Sequence, residues 1–179
     1  MDNNSDQELI EACMNGDRQA FEGLLSKYEK PVYNAAYRML NSPEDARDVT
    51  QTVFLKVFEN LDSYNPQYKF FSWIYRIALN ESINFLKKQN RLDVLDRDVT
   101  DDSRNPEDLT DTEQLSQSMQ SALMGIKAEY RTVIVLKHFV DCSYSEISII
   151  LDIPEKKVKS RLYTGRQLLK QALTSSGIH

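Results

Sequence analysis

KFFSWIYRIALNESINFLKKQNR, residues Lys69–Arg91, carries two different faces when wound as a helix. Ile74, Ile77, Ala78 and Phe85 fall near i, i+3, i+4 and i+11, a stripe that faces a core. Arg76, Asn80 and Asn84 form an i, i+4, i+8 row on another side, and Lys87, Lys88 and Arg91 extend it. A merely solvated face usually alternates Glu with Lys. This one offers amide and guanidinium groups, which pair with base edges, followed by cations suited to phosphates. Immediately before it, SYNPQYKFF (Ser63–Phe71) is a turn dense in Tyr and Phe. Aromatic rings beside a basic helix are what a protein needs to hold unstacked bases. A core helix with a polar outer face and an aromatic hinge fits the same period.

Working back from this stretch, helical spacing continues to the N-terminus. Asp6–Leu25 reads as one helix with a break at Asn15-Gly16-Asp17. Tyr28–Leu40 reads as a second, opened by Pro31 in its first turn. A third starts at Pro43, with Ser42 as cap and Glu44 and Asp45 at the positive end of its dipole. It is expected to bury Ala46, Val49, Val53, Val57, Phe54, Phe58 and Leu61. Its other side carries Asp45, Asp48, Gln51 and Leu55. A lone exposed Leu among acids is ordinary surface, and it is also how a helix looks when it docks on a partner.

Beyond Arg91 the period dissolves. RLDVLDRDVTDDSRNPEDLTDTEQ is acidic and without a sustained apolar repeat, a linker composition. Helical spacing returns from Asp108 to Ile126 through Leu115, Met119 and Leu123, and again over Glu129–Phe139. Ser143-Tyr144-Ser145-Glu146 is a capping box, and the short helix it starts stops at Asp152-Ile153-Pro154. The last helix runs to a stop at Gly177 and presents Lys156, Lys157, Lys159, Ser160 and Arg161 in its early turns. A short capped helix, a tight turn and a longer basic helix is the helix-turn-helix layout, in which the second helix enters the major groove. A helical hairpin with a lysine-rich outer face is the plainer alternative.

Charge supports this division. The net of −5 splits into ten Lys/Arg against thirteen Asp/Glu over residues 1–90, three against nine over 91–126, and nine against five over 127–179. Acid is concentrated in the middle and base at the end. No run approaches the roughly 18 apolar residues of a membrane span, and the N-terminus has no signal-peptide layout, so a cytoplasmic protein is expected. Cys13 and Cys142 suggest neither a disulfide nor a zinc site, and His138 with Cys142 at i, i+4 reads as helix-end packing. No nucleophile–base pair is apparent, so neither enzymatic activity nor a cofactor or metal is expected.

DARDVTQTVFLKVF (Asp45–Phe58), KFFSWIYRIALN (Lys69–Asn80) and YRTVIVLKHF followed by SYSEISIILDIPEKKVKSRLYTGRQLL (Tyr130–Leu169) resemble the group IV, extracytoplasmic-function (ECF) bacterial sigma factors, in order and spacing. The resemblance runs from about Phe21 to Leu173. It implies an all-α protein of two helical domains joined by a flexible acidic linker: a region 2 bundle over 1–91, the linker over 92–110, and a region 4 helix-turn-helix domain over 111–179. It implies that Asp45, Asp48, Gln51 and Leu55 dock on the clamp coiled coil of the largest subunit of RNA polymerase core. The C-terminal domain would meet the flap of the second-largest subunit. Promoter −10 DNA would be held by Ser63, Tyr64, Asn65, Gln67, Tyr68, Lys69, Trp73, Arg76, Asn80, Asn84, Lys87 and Lys88. The −35 duplex would be read by Lys156, Lys157, Lys159, Ser160, Arg161, Tyr163, Thr164 and Arg166. Control by an anti-sigma factor is also implied. A dimeric helix-turn-helix regulator that ignores polymerase would account for Ser143–Leu173 but leave the aromatic loop and the Asp45–Phe58 face without a use.

Several residues depart from the family pattern. Phe71 stands where a small or basic residue is usual, leaving base choice in the loop open. Asp152 replaces the usual Gly of the turn and should tolerate its left-handed backbone. Lys156-Lys157 replace a common Gly-Thr. Thr164-Gly165 replace a common Arg-Ala, which removes one expected bond to phosphate or base. Ala128 stands where a Pro usually opens a helix.

Overall fold

The computed structural model describes residues 3–93 and 111–175. The linker expected at 92–110 lies outside them except for its first two residues, as does the stop at Gly177. Among the described residues all regular structure is helical. Helices α1 (Asn3–Met14), α2 (Arg18–Leu40), α3 (Pro43–Glu59) and α4 (Phe70–Asp93) form the first bundle. Helices α5 (Asp111–Met124), α6 (Ala128–Ile134), α7 (Tyr144–Leu151) and α8 (Glu155–Ser175) form the second.

One boundary differs from the sequence reading. Pro31 does not open a helix, because α2 runs straight through it. Asp17 caps that helix instead, accepting from the Gln19 and Ala20 amides at 2.8 and 3.4 Å. An interior Pro costs about 3 kcal/mol. Leu24, Tyr28, Val32, Ala35, Ala36 and Met39 nevertheless make one buried stripe across it. At about 1.5–3 kcal/mol for each large side chain, that burial outweighs the lost backbone bond. The N-terminal helix is pinned to α2 by the buried Asp6, which accepts from Tyr28 Oη at 2.6 Å and Lys27 Nζ at 2.5 Å.

Phe58 is the other correction. Expected in the core, it is 67% exposed. Its position i+7 from Gln51 and i+3 from Leu55 turns it onto their face, one step past the stripe ending at Val57. Leu115 on α5 is likewise exposed rather than buried.

In the second bundle, α6 passes into a π-helical turn, Val135–Phe139, that the apolar period did not reveal. The capping box at Ser143 forms as read: its hydroxyl accepts from the Glu146 amide at 3.1 Å, and its own amide donates to Glu146 Oε2 at 2.9 Å. Asp152 ends α7 at φ 53°, ψ 49°, the left-handed conformation expected of it. Outside glycine that conformation costs about 1–2 kcal/mol. Asp152→Gly should therefore raise stability by up to about 1 kcal/mol and the thermal midpoint by roughly 2–4 °C. An unchanged or lower midpoint by circular dichroism would show that the aspartate carries no strain. Gly165 has a structural reason for its place as well. A Cβ there would lie 3.0 Å from Ile134 Cδ1, so glycine lets α8 press against α6.

Candidate nucleic-acid interfaces and docking face

Three surfaces carry the residues singled out from the sequence. The first is the outer side of α3. Ser42 caps the helix through the Asp45 amide at 3.2 Å, which fixes the direction of its first turn. Asp48 and Gln51 are exposed and Asp45 is half-buried. Leu55 is 62% exposed and stands beside Phe58. The Phe58 ring meets Phe21 of α2 edge-on at 5.3 Å. The face is thus an apolar ridge with an acidic end, larger than the four residues read from the sequence. The signal for Phe58 was its i+7 spacing from Gln51, which competed with an equally good core register.

The second surface is the loop before α4 and the helix itself. Its base is an aromatic cluster: Tyr64 lies 5.6 Å from Phe70 and 5.5 Å from Trp73, and Phe70 lies 5.3 Å from Tyr28. Tyr64 is 6% exposed, and its hydroxyl donates to the Tyr68 carbonyl at 2.5 Å. It braces the loop from inside. Ser63 Oγ donates to the Asn60 carbonyl at 2.7 Å, and Asn65 Oδ1 accepts from the Gln67 amide at 3.0 Å, closing an Asx turn. These bonds set the loop before any ligand arrives. They leave Tyr68 half-exposed at its rim, with Asn65, Gln67 and Lys69 beside it. Along α4, Asn80, Asn84, Lys87 and Lys88 carry the polar side, whereas Trp73 and Arg76 are partly covered.

The third surface is α8. Lys156, Lys157, Lys159, Ser160, Tyr163 and Arg166 are exposed, the large Tyr163 ring to 68%. Pro154 precedes the helix and its carbonyl accepts from the Lys157 and Val158 amides at 2.8 and 3.1 Å. Val158 and Leu162 are buried beneath, so the basic side must face outward. Three cations are engaged locally, Lys159 lying 4.0 Å from Glu155 and 5.5 Å from the Tyr144 ring centre. Arg161 pairs with Glu129 at 3.0 Å, and Arg166 Nε donates to His138 Nε2 at 3.2 Å. Burial, followed by the nearby Arg166 and Lys137, lowers the His138 pKa and favours the neutral ring that accepts this bond. Thr164 is half-buried.

His138 does not join Cys142. The first points to Arg166, while Cys142 is buried and its thiol pKa is pushed up to about 12, chiefly by that burial. Among the described residues no group of three or more His, Cys, Asp or Glu side chains is placed to hold a metal ion. No described helix is long and apolar enough to cross a membrane.

Comparison with known proteins places these surfaces in a family. Residues 24–92 match Sigma-70 region 2, and residues 116–169 match Sigma-70, region 4. The chain is 34% identical to the ECF RNA polymerase sigma factor SigW of Bacillus subtilis, over 93% of this chain and 96% of that one. It is 31% identical to the ECF RNA polymerase sigma-E factor of Escherichia coli K12, over 92% of each. Among solved structures, CnrH in complex with the cytosolic domain of CnrY superposes with a TM-score of 0.72 at 25% identity, covering 96% of this chain and 98% of CnrH. The sigma factor RpoE of Bartonella quintana, solved with the anti-sigma factor NepR, has the same fold, with a TM-score of 0.71 at 22% identity over 86% of this chain and 96% of that one. With two sigma regions in order along one helical chain, and relatives matched nearly end to end, this protein belongs to the ECF sigma factors.

Proposed function

We propose that this chain binds RNA polymerase core, directs it to a set of promoters through −10 and −35 elements, and promotes strand opening there. The observation that carries this is the presence, in one chain, of a preformed aromatic loop leading into an amide-bearing helix and a separate basic helix of a helix-turn-helix. The first suits separated bases and the second an intact duplex. The protein is no enzyme in this reading and works by binding alone.

Unstacking a base step costs a few kcal/mol. Capture of an extruded base on a ring such as Tyr68 returns about 1–3 kcal/mol. Asn80 and Asn84 add edge or backbone bonds, so melting is favoured without a fuel. The α3 ridge is the docking face for the clamp coiled coil, the second bundle meets the flap, and an anti-sigma factor controls access. The domain limits are residues 1–91 and 111–179, with the acidic segment between them as tether. The protein works in the cytoplasm, where polymerase and promoters are.

In vitro transcription of genomic DNA with added core enzyme tests the reading. Start sites sharing upstream elements are expected, and the absence of any chain-dependent transcript would overturn it. Two narrower outcomes are expected. The pair Asn80→Ala and Asn84→Ala should slow open-complex formation by roughly tenfold, an effect of about 1–2 kcal/mol, while changing duplex association little. Wild-type permanganate reactivity of promoter thymines would count against it. Lys159→Ala with Lys156→Ala should lower the slope of log affinity against log salt for −35 duplex by about 0.9 for each phosphate no longer neutralised. An unaltered slope would turn that face of α8 away from the groove.

A further inference from the structure

Three consecutive side chains of the π-helical turn reach three different helices. Lys137 Nζ donates to the Cys142 carbonyl at 2.9 Å and lies 5.7 Å from the ring centre of Tyr144, at the start of α7. Phe139 goes to α2, where Arg38 lies 4.5 Å from its ring centre. His138, between them, goes to α8, where its Nε2 accepts from Arg166 at 3.2 Å. That bond requires a neutral ring with its proton on Nδ1. Arg166 shares one side of α8 with Lys159 and Tyr163, at i, i+4 and i+7, and all three are exposed, as is His138. The imidazole thus stands at the edge of the surface read above as facing the −35 duplex.

The charges acting on this ring have one sign. Burial disfavours a proton there most, and Arg166 of α8 and Lys137 of its own turn add to that. The other charged groups nearby are engaged elsewhere. Arg38 of α2 covers Phe139, and Glu146 of α7 holds the Ser143 cap and Lys69. On α6, Glu129 pairs with Arg161, and Arg131 is buried on carbonyls. Asp141 acts on the Cys142 thiol. Among the described residues no carboxylate is placed to hold an imidazolium at His138. A DNA phosphate is the anion this corner lacks.

We propose, resting on the −35 reading above, that His138 belongs to that interface as the residue positioning Arg166: the neutral ring holds the guanidinium back on the π-helical turn, and protonation frees it and sets a second cation beside it on the DNA backbone. An imidazolium presents an N–H where Arg166 needs an acceptor, so the bond opens and the two cations part. A phosphate beside them favours the charged ring, so the complex takes up a proton that the free protein leaves in water. Affinity for DNA is then level at high pH, where the ring is neutral both free and bound. It rises as pH falls through the pKa of the complex, and levels off below that of the free protein.

The test uses the full chain and a fluorescein-labelled duplex of random sequence, about 30 base pairs long, whose phosphates are the ligand at issue. Between about pH 8 and about pH 5.5, anisotropy should show affinity rising about fivefold and the salt slope steepening by about 0.9. His138→Gln keeps an acceptor for Arg166 but gains no proton, so it should lose the acid gain. His138→Lys carries the charge throughout and should bind several-fold tighter than wild type at the alkaline end. Arg166→Met should cut the gain to about twofold or less, whereas a full gain there would show that His138 acts by its own charge and positions nothing. A wild type with no more acid gain than His138→Gln, or a lysine variant no tighter than wild type, would also overturn the proposal. One readout needs no DNA. His138 and His179 are the chain's two histidines, so the imidazole resonances can be titrated separately by NMR. Arg166→Met should move the His138 midpoint upward, and an unmoved midpoint would deny the contact. Loss of Lys156 and Lys159 separates the two ideas. Binding that ignores those lysines takes α8 off the DNA and sinks the −35 reading, whereas lysine-dependent binding without a pH response sinks the His138 role alone.

Discussion

Arg131→Met is expected to lower the unfolding free energy by about 3 kcal/mol and the thermal midpoint by roughly 10 °C. The Arg131 guanidinium serves three carbonyls: Met39 of the first bundle, and Met124 and Ile126 of its own at 2.8 and 3.0 Å. Each buried acceptor left without a donor costs about 1–3 kcal/mol. Part of that is offset, because the arginine is itself held under strain. Burial lowers its pKa, and its Nε meets no acceptor. Methionine refills most of the volume, so the loss measured is chiefly that of the hydrogen bonds. Thermal unfolding followed by circular dichroism is the check. A drop smaller than about 3 °C would mean that water replaces the guanidinium and the site is wetter than its 5% exposure indicates.

The second large effect is expected at the α3 ridge. Leu55→Asp with Phe58→Asp should weaken binding to core polymerase by at least 30-fold, about 2 kcal/mol or more. Central apolar anchors surrounded by polar residues hold most of an interface's energy, and acids placed there meet a desolvated surface without partners. Both side chains are more than 60% exposed, so the fold should be left intact. Asp48→Lys should weaken the same complex less, as a charge at the rim. Co-purification with core at wild-type levels, from a variant whose circular dichroism is unchanged, would remove α3 from the interface.

The fold was legible wherever one face of a helix is buried and the other wet. The Val49–Val53–Val57 stripe, the Ser143 capping box and the Asp152 turn needed nothing beyond local spacing. Pro31 misled because its cost is local while the stripe outweighing it runs over four turns. Phe58 misled because an apolar residue at the edge of a stripe fits either face. Of the candidate surfaces, the exposure of the amides and most cations of α4 and α8 was legible. The pairings Arg38–Gln120, Arg131–Met39 and Arg76–Ile149 were not. Their partners are more than 70 residues apart in sequence, and a carbonyl acceptor has no residue type to read.

The π-helical turn at Val135–Phe139 sets a limit on how this chain can vary in length. One more residue per turn shifts the phase of everything after it by about 100° relative to an unbroken α-helix. Phe139 reaches Arg38, and Cys142 its buried seat, from that shifted phase. A single deletion anywhere in the five residues would restore regular winding and rotate both away. Functional homologues should therefore keep this segment's length even where its side chains drift.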